Sequence, residues 1–176
     1  MNALSAYVHH PDPTTRLGNA IALLVGANGP FYPLYVWWLL PEAGLAALAT
    51  MAASPGFLAI PALARRHPCL ARAVLPLLGL ANTLWTVALL GPATAAAAFV
   101  APCLMLAGLS WRAPRTLLAL LGAGLAVLLV ALNWPLSPLA ALDPAQQATL
   151  APMNTISAAA LLAYAVIVAA RASRGT

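Results

Sequence analysis

The positively charged residues of this chain follow a regular spacing that constrains its fold. All eight are arginines, and they fall in alternate gaps between six apolar stretches. An arginine at the centre of a bilayer costs about 2.5–3.5 kcal/mol on insertion scales, and short cytoplasmic loops are enriched in Lys and Arg. The spacing therefore predicts six membrane-spanning helices with both termini in the cytoplasm. The arginines are Arg16, Arg65, Arg66, Arg72, Arg112, Arg115, Arg171 and Arg174.

The composition predicts that lipid, rather than water, surrounds most of the chain. Of its 176 residues, 63% are hydrophobic and 6% are charged, whereas soluble domains carry about 25% charged residues. We therefore predict an all-α polytopic membrane protein, with the lipid bilayer as its principal partner. The net charge of +5 is spread along one membrane face, where it sets orientation and meets anionic head groups, so nucleic acid is not an expected partner.

The lengths of the apolar stretches fit helices that cross a bilayer. A span needs about 20 residues to cross a hydrocarbon core about 30 Å thick. The gaps without arginine join the spans into three helical hairpins, and only the fifth and sixth spans have a longer connection, at 135–148. The predicted spans are 17–40, 43–64, 73–90, 93–110, 116–134 and 149–170.

Short tails are predicted outside the spans. The expected organisation is a cytoplasmic N-terminal tail at 1–16, a six-helix transmembrane domain at 17–170 and a cytoplasmic C-terminal tail at 171–176. Residues 1–15 lack a basic region followed by an apolar one, so we expect the first span itself to direct insertion. The expected location is the inner membrane of a bacterium.

Ionisable residues are absent from all six predicted spans, which argues against functions that need a charged or titratable group inside the membrane. Proton relays, ion-coupled carriers and voltage sensors use intramembrane ionisable groups, and a membrane haem usually needs a histidine at helix depth. The three histidines lie outside the spans, without companions at metal-ligand spacing. Cys69 and Cys103 are expected at different depths, as reduced thiols. We therefore predict no catalytic residue, no metal site and no cofactor.

A stretch of the first span that is rich in glycine and proline is the strongest local candidate for a functional site. Pro30 lacks an N–H, which is expected to free the Gly26 carbonyl inside the membrane, and Pro33 is expected to free the Gly29 carbonyl in the same way. The small residues before these prolines let a neighbouring helix, a water molecule or a polar ligand group come close. Asn28 offers a donor and an acceptor at the same place.

Aromatic residues follow this predicted kink on one helix face. Phe31, Tyr35 and Trp38 recur at positions i, i+4 and i+7, and Tyr32 lies beside the first of them. Two interpretations stay open. The face forms an aromatic belt at the outer membrane interface, with the kink serving packing, or it lines a pocket for a small amphipathic molecule in the outer half of the bundle.

Amides and indoles in other spans are candidates for the same pocket. Asn82 and Trp85 lie in the third span, Asn133 at the outer end of the fifth, and Asn154 in the sixth. In hydrocarbon such side chains face the bundle and hydrogen-bond across helices, which is their alternative, structural role. The predicted ligand contacts are Asn28, Phe31, Tyr32, Tyr35, Trp38, Asn82, Trp85, Asn133 and Asn154.

Three segments resemble a known class of membrane domain. They are GANGPFYPLYVWWLLPEAG, ANTLWTVALLGPATAAAAFVAPCLMLAGLSWRAPR and APMNTISAAALLAYAVIVAAR. They resemble the six-helix membrane domains that precede histidine kinase or class III adenylate cyclase domains in bacterial sensors, with the quorum-sensing kinases that detect small lipophilic autoinducers as the nearest type. The resemblance implies ligand sensing by the membrane domain and coupling through the sixth helix. Because no output domain follows before Thr176, we expect a stand-alone relative or an output supplied by another protein.

The leading hypothesis is a non-enzymatic membrane sensor or binding module for a small lipophilic ligand, which signals to a membrane or cytoplasmic partner through helix shifts. One alternative is a structural or accessory subunit of a larger membrane complex. Another is a small uncharged-solute transporter, or its substrate-binding component. Gly122 and Gly124 in the fifth span predict a close helix contact, either within the chain or in a homodimer.

Overall fold

The chain folds into a bundle of helices. The computed structural model describes residues 3–111, 113–134 and 137–174, and every regular element within them is helical. Arg112, residues 135–136 of the long connection and residues 175–176 of the C-terminal tail lie outside the described residues. The α-helices are α1 (Ala3–Val8), α2 (Pro13–Asn28), α3 (Phe31–Leu39), α4 (Gly44–Ala49), α5 (Ser54–Ala64), α6 (Pro68–Leu90), α7 (Val100–Ser110), α8 (Pro114–Leu132), α9 (Pro144–Ala148) and α10 (Ala151–Arg174).

Four helical segments are long and apolar enough to cross a membrane, which suggests a multi-pass membrane protein. They correspond to the second, third, fifth and sixth predicted spans. Each begins at a proline, whose fixed φ and missing N–H suit the first turn of a helix. The third span is longer than predicted, because α6 starts five residues before the expected position 73. The segments are Pro41–Ala64, Pro68–Leu90, Pro114–Leu132 and Pro144–Arg171.

The first predicted span is kinked at its proline. Helix α2 ends at Asn28 and α3 begins at Phe31, but Gly29 and Pro30 between them keep helical backbone angles. The chain therefore continues in one general direction through the kink. The Gly29 N–H donates to the Gly26 carbonyl at 3.3 Å, so the carbonyl that the sequence predicted to be free is paired locally.

A second proline acts in the same way in the next segment. Between α4 and α5, residues 50–53 tighten into a 3₁₀ turn, and Pro55 follows in the first turn of α5. The Ser54 N–H donates to the Met51 carbonyl, which is the group that an N–H at position 55 would otherwise reach. In both segments the residue before proline takes over the unpaired carbonyl.

The fourth predicted span is interrupted near its start. It was expected to run continuously from 93 to 110, but Ala95 has φ +58°, in the left-handed region, and separates two 3₁₀ turns. The remaining apolar segment, Ala96–Ser110, covers about 22 Å at 1.5 Å per residue. The Thr94 hydroxyl donates to the Gly91 carbonyl at 2.7 Å, which closes the loop that precedes this segment.

The two ends of the bundle are chemically different. At one of them, which we call the arginine end, Arg72 Nη1 lies 3.5 Å from Asp12 Oδ2, and the Arg72 guanidinium lies 5.6 Å from the centre of the Trp111 ring. This contact joins the start of α2, the start of α6 and the residue after α7. The opposite end carries the loops that contain Glu42 and Asp143.

The predicted N-terminal tail contains helix α1, which packs on the arginine end. The Tyr7 hydroxyl donates to the Leu58 carbonyl at 2.7 Å, and the Arg65 guanidinium lies 5.3 Å from the centre of the Tyr7 ring. A carbonyl of α5 thus gains a partner from outside its own helix. The Asn19 amide of α2 donates to the Val8 carbonyl, the last residue of α1, at 3.2 Å.

Glycines permit two close helix contacts. A Cβ on Gly26 of α2 would lie 2.8 Å from Cγ of Leu58 and 3.0 Å from its backbone N. A Cβ on Gly124 of α8 would lie 2.1 Å from Cδ2 of Leu104 in α7. The predicted close contact is therefore confirmed for Gly124, within the chain, whereas a Cβ on Gly122 would meet nothing within 4 Å.

The helices pack in pairs along only part of the chain. Helix α2 packs on α5, and α6 packs on α7, as in the first two predicted hairpins. Among the described residues, α8 and α10 each pack mainly on α7 rather than on each other. The largest hydrophobic core fills the arginine end and consists of Leu17, Ile21, Ala22, Phe57, Ile60, Ala64, Ala71, Leu75, Leu106 and Ala165.

We predict that Gly26→Ala destabilises the protein by about 1–3 kcal/mol, because the added methyl group overpacks the contact with Leu58. Gly122→Ala is the matched control, since both glycines are helical and gain the same helix propensity of about 1 kcal/mol. The control variant should be as stable as the wild type or more stable. Thermal unfolding of the three purified proteins in one detergent, followed by circular dichroism, measures the difference. Equal midpoints for the two variants would contradict a tight α2–α5 contact.

Candidate functional site

A cavity of about 490 Å³ lies at the centre of the bundle. Its wall is formed by α2, α3, α6 and α10, together with residues 50–57 and 96–106. The described residues that line it include no Asp, Glu, Lys, Arg or His. The amide and hydroxyl side chains of the wall are Asn28, Tyr32, Thr50, Ser54, Asn82, Thr83, Thr86, Ser157 and Tyr164.

Polar and apolar parts of the wall lie towards different ends of the bundle. Along α2 the lining changes from Ile21 near the arginine end to Asn28, and along α6 it changes from Leu75 to Asn82. Residues 50–57 follow the same order, with a phenylalanine nearest the arginine end and hydroxyl side chains beyond it. The cavity therefore has a polar half facing the opposite end and a largely apolar half above the core of the arginine end.

Two polar atoms of the wall lack hydrogen-bond partners. The Tyr32 hydroxyl and Asn82 Oδ1 are buried and unpaired. The wall threonines differ, because their hydroxyls donate to carbonyls of their own segments; for example, Thr83 donates to the Gly79 carbonyl at 2.9 Å. Leaving a buried polar group unpaired costs about 1–3 kcal/mol. Both atoms are enclosed by the protein rather than open to the cavity, whereas Asn28 and Ser157 are exposed residues of the wall.

Asn154 provides a third unpaired atom beside Tyr32. Its Nδ2 donates to the Thr94 carbonyl at 2.8 Å, which fixes the orientation of the amide and leaves Oδ1 without a partner. Asn154 is fully buried and does not itself line the cavity. The Tyr32 hydroxyl lies close to this amide but outside hydrogen-bond geometry. Tyr32 thus connects the cavity to a buried acceptor on α10.

The cavity opens sideways between α2 and α10. Leu24 and Asn28 of α2 line the cavity and are also exposed, as are Ser157, Ala160 and Tyr164 of α10. We call this opening the mouth. In the other wall segments the lining residues are mostly buried or half-buried. A molecule that lies beside the bundle therefore reaches the cavity without passing through either end.

The predicted ligand contacts fall into separate groups. Asn28, Tyr32 and Asn82 line the one cavity, with Asn154 next to Tyr32. The aromatic face of α3 lies on the exterior instead, and Trp38 is 79% exposed. Each of the remaining predicted contacts lies outside the cavity wall, and their role as ligand contacts stays a prediction; they are Phe31, Tyr35, Trp38, Trp85 and Asn133.

Two of these outlying residues have structural hydrogen bonds. The Trp85 indole N–H donates to the Ala49 carbonyl at 2.8 Å, which supplies a partner just before the 3₁₀ turn at residues 50–53. The Asn133 amide donates to the Leu129 carbonyl at 2.9 Å and so ends α8. The Trp85 contact crosses between segments and matches the structural alternative that the sequence left open, whereas the Asn133 contact stays within α8 and its side chain is exposed.

Several wall residues were not among the predicted contacts. Thr50 and Ser54 lie just before Pro55, at the 3₁₀ turn of residues 50–53, so the position of that proline was the available signal. Ser157 and Tyr164 are seven residues apart in α10, a spacing that keeps two side chains on one helix face. These two hydroxyl side chains share one face of a very apolar helix, and this pattern was the available signal for the α10 wall.

A second polar cluster lies at the arginine end. Asp12 caps α2: its carboxylate accepts from the Thr15 N–H at 2.9 Å and from the Thr15 hydroxyl. Partial burial acts to raise the pKa of Asp12, but the hydrogen bonds from Thr15 and the charge of Arg72 outweigh it, so the pKa lies below its ordinary value of 3.8. The cluster joins α2 to α6 and is separate from the cavity.

Metal ligands do not come together in the described part of the chain. Within it, no group of three or more His, Cys, Asp or Glu side chains is arranged to hold a metal ion. Cys69 is exposed and Cys103 is buried in the cavity wall, and both are free thiols.

Fold and cavity define an all-helical chain with four helices suited to cross a membrane and an uncharged internal cavity. No family model, curated protein or solved structure matches this chain.

We predict that Asp12→Asn removes the ion pair with Arg72 but keeps the N-cap of α2. Asparagine is as good an N-cap as aspartate, so the variant loses only the contact with Arg72, which at a partly exposed site is worth less than about 1 kcal/mol. Because the pKa of Asp12 is lowered by folding, its contribution is present above about pH 4 and is lost as the pH falls through the folded-state pKa.

The wild type should therefore lose its stability advantage over Asp12→Asn when unfolding midpoints are compared at pH 7 and at strongly acidic pH. Asp12→Ala serves as the control that also removes the cap, at a further cost of about 1 kcal/mol. A constant difference between wild type and Asp12→Asn at all pH values would contradict the role given to the carboxylate.

Proposed function

We propose that the chain crosses the inner membrane of a bacterium six times, with both termini in the cytoplasm. Four crossings use the long apolar segments. The kinked pair α2–α3 and the shorter segment Ala96–Ser110 supply the other two. Arginines such as Arg65 and Arg72 cluster at one end of the bundle, where the excess of positive charge in cytoplasmic loops supports a cytoplasmic location.

The two native cysteines allow a direct test of this orientation. Cys69 is exposed near the arginine end, and Cys103 is buried. In a Cys103→Ala background, we predict that a membrane-impermeant maleimide labels Cys69 in inverted vesicles but not in intact spheroplasts. A variant with Cys69→Ser and Ala145→Cys, which moves the thiol to the exposed first turn of α9, should show the reverse. Labelling of Cys69 in spheroplasts would reject the orientation.

We further propose that the protein is a non-enzymatic binding module that senses a small lipophilic ligand. The observation that carries this proposal is the cavity, whose described wall has no charged side chain, has amide and hydroxyl side chains towards one end, and opens at a mouth on the side of the bundle. Its volume lies within the range of about 300–1,000 Å³ that is usual for small-molecule sites. A lateral mouth suits ligands that dissolve in the bilayer.

Helix α10 is the proposed output element. It contributes Ser157 and Tyr164 to the cavity wall, and farther along it contributes Ala165 to the core of the arginine end. A ligand that favours one position of α10 over another shifts the population of that position, and the shift reaches the cytoplasmic surface near Arg171. A partner that docks there, or a second copy of the chain, would receive the signal.

The other two hypotheses make different predictions for the same cavity. An uncharged-solute transporter would use it as a transit site, and uptake of the bound compound into proteoliposomes would favour that function. An accessory subunit needs no ligand, and no contact in the described residues favours it over the binding module.

We predict that Ala160→Trp weakens ligand binding at least tenfold, because an indole at this mouth residue fills the passage between α2 and α10. Ala159→Trp is the matched control: Ala159 is exposed on the same helix but does not line the cavity. Radiolabelled 1-dodecanol bound to the purified protein in nanodiscs, with empty nanodiscs subtracted, provides the measurement. Equal saturable binding by both variants, or none by the wild type across a range of uncharged alkyl compounds, would reject a ligand site at the mouth.

A further inference from the structure

We infer that helix α1 is an interfacial helix. It lies in the lipid leaflet at the arginine end, where head groups meet acyl chains, and it is held there by its contacts with α2 and α5. The lipid of this leaflet is the partner of its exposed face. This inference rests on the proposed membrane crossings and is independent of the proposed ligand. It replaces the cytoplasmic location that the sequence predicted for residues 3–8.

The first eight residues differ in composition from the rest of the predicted N-terminal tail. Residues 1–8, MNALSAYV, contain no charged side chain, whereas residues 9–16, HHPDPTTR, contain an aspartate, an arginine and two histidines. The polar stretch links α1 to α2 and supplies the N-cap of α2. An apolar segment directly before charged residues is typical of a helix at the membrane surface, where its side chains enter lipid while the neighbouring charges stay in water.

Tyr7 reaches the bundle from the lipid side. Its hydroxyl donates to the carbonyl of Leu58, and the Leu58 side chain is 37% exposed at the surface of the bundle. Leu58 precedes Arg65 by seven residues, which is about 10 Å along a helix. The Arg65 guanidinium lies over the Tyr7 ring. Because the arginines of this end lie at the head groups in the proposed orientation, the ring extends from that level towards the hydrocarbon.

Val8 is fixed at a similar depth on α2. Its carbonyl accepts from the Asn19 amide, and Asn19 is only 2% exposed. Asn19 follows Arg16 by three residues, which is about 5 Å along the helix. The contacts of Tyr7 and Val8 together place the end of α1 between about 5 and 10 Å inside the level of the arginines, which is the depth at which interfacial helices lie.

The short length of α1 limits how deep it can lie. A helix of six residues consists almost entirely of its two ends, where N–H groups of the first turn and carbonyls of the last turn lack partners within the helix. The Val8 carbonyl is paired with Asn19. Groups without a protein partner at such ends need water or lipid head groups, because hydrocarbon offers none. The helix therefore lies at the boundary and does not cross, so the N-terminus stays on the side of the arginine end.

The exposed face of α1 is apolar. Ala3, Leu4 and Ala6 are exposed, and Leu4 is 63% exposed, whereas Tyr7 and Val8, which contact the bundle, are half-buried. Apolar side chains at this depth gain free energy by leaving water for acyl chains. Lipid is therefore the occupant that fits the face, and the charged groups that meet the head groups come from the neighbouring arginines.

Spin labels test the depth of α1 directly. In a Cys69→Ser, Cys103→Ala background, single cysteines are introduced by Leu4→Cys, Ala113→Cys and Leu125→Cys, and each carries a nitroxide. Ala113 is exposed before the first turn of α8, and Leu125 is exposed in the middle of that helix, so they mark the membrane surface and the bilayer centre. Electron paramagnetic resonance of the full chain in nanodiscs then measures the accessibility of each nitroxide to oxygen and to a polar nickel chelate.

We expect the ratio of chelate to oxygen accessibility at position 4 to be at least about threefold lower than at position 113, because the acyl boundary excludes the polar chelate. The ratio at position 4 should still exceed that at position 125. Equal ratios at positions 4 and 113 would overturn the inference and return α1 to the cytoplasm. A ratio equal to that at position 125 would also overturn it, since α1 would then lie at the bilayer centre.

Two further outcomes are distinguished in the same samples. Spectra at position 4 that are broad and sharpen on dilution with unlabelled protein would assign the face to a second copy of the chain and overturn lipid as its partner. High chelate accessibility at position 125 would instead contradict the proposed crossing by α8. Failure of the proposed crossings is thus separated from failure of the interfacial placement of α1.

Tyr7→Ala tests whether the contacts with the bundle hold α1 in place. Without the ring and the hydroxyl, the nitroxide at position 4 should lose the immobilised component of its spectrum. The nitroxide at position 113 serves as the control, because an unchanged spectrum there shows that the bundle of the variant is folded. An unchanged spectrum at position 4 would show that Tyr7 does not hold the helix and would contradict the docking of α1 on α5.

Discussion

Polar groups inside this bundle must find partners within it, because its exterior is apolar and lipid offers none. Most of them form hydrogen bonds with carbonyls close by in the structure. Threonine hydroxyls such as that of Thr83 donate to carbonyls of the preceding turn, and the Trp85 indole of α6 donates to the Ala49 carbonyl at the end of α4. Among the described residues, six buried side-chain atoms have no partner, and only those of Tyr32 and Asn82 belong to cavity residues. We therefore assign the site from the cavity itself, from its described wall without charged side chains and from its lateral mouth, rather than from unpaired atoms.

The cavity itself depends on interrupted helices. Tyr32 follows the kink at Pro30, Thr50 and Ser54 flank the 3₁₀ turn ahead of Pro55, and the segment that starts at Ala96 follows the left-handed residue 95. Residues at each interruption line the cavity, and its polar half lies where the three interruptions come together. The close contact of Gly26 with Leu58 keeps α2 and α5 together below it.

Hydropathy and proline position made much of this fold predictable from the sequence. They located four long apolar segments and the kink at Pro30, and the amides Asn28 and Asn82 were selected as candidate contacts that the structure brings to one cavity. The direction of the aromatic face was not predictable. Periodicity states that Phe31 and Trp38 share a face, but an aromatic face is equally stable against lipid or against a cavity, so the pattern does not determine which it meets. For the same reason, the sequence of α8 or of α10 alone did not predict that each helix packs mainly on α7.

The position of the core explains how a ligand would act over distance. Core residues of the arginine end, such as Leu75 and Leu106, form one end of the cavity wall. They also pack against the later part of α10. A close-packed core transmits displacement rather than absorbing it, because its side chains have few alternative arrangements. A ligand inserted above this floor would therefore press on Leu161 and Tyr164 of α10, whose outer face is exposed in the described structure. Under the proposed function, the exposed side of α10 is the direction in which ligand binding would displace this helix at the arginine end.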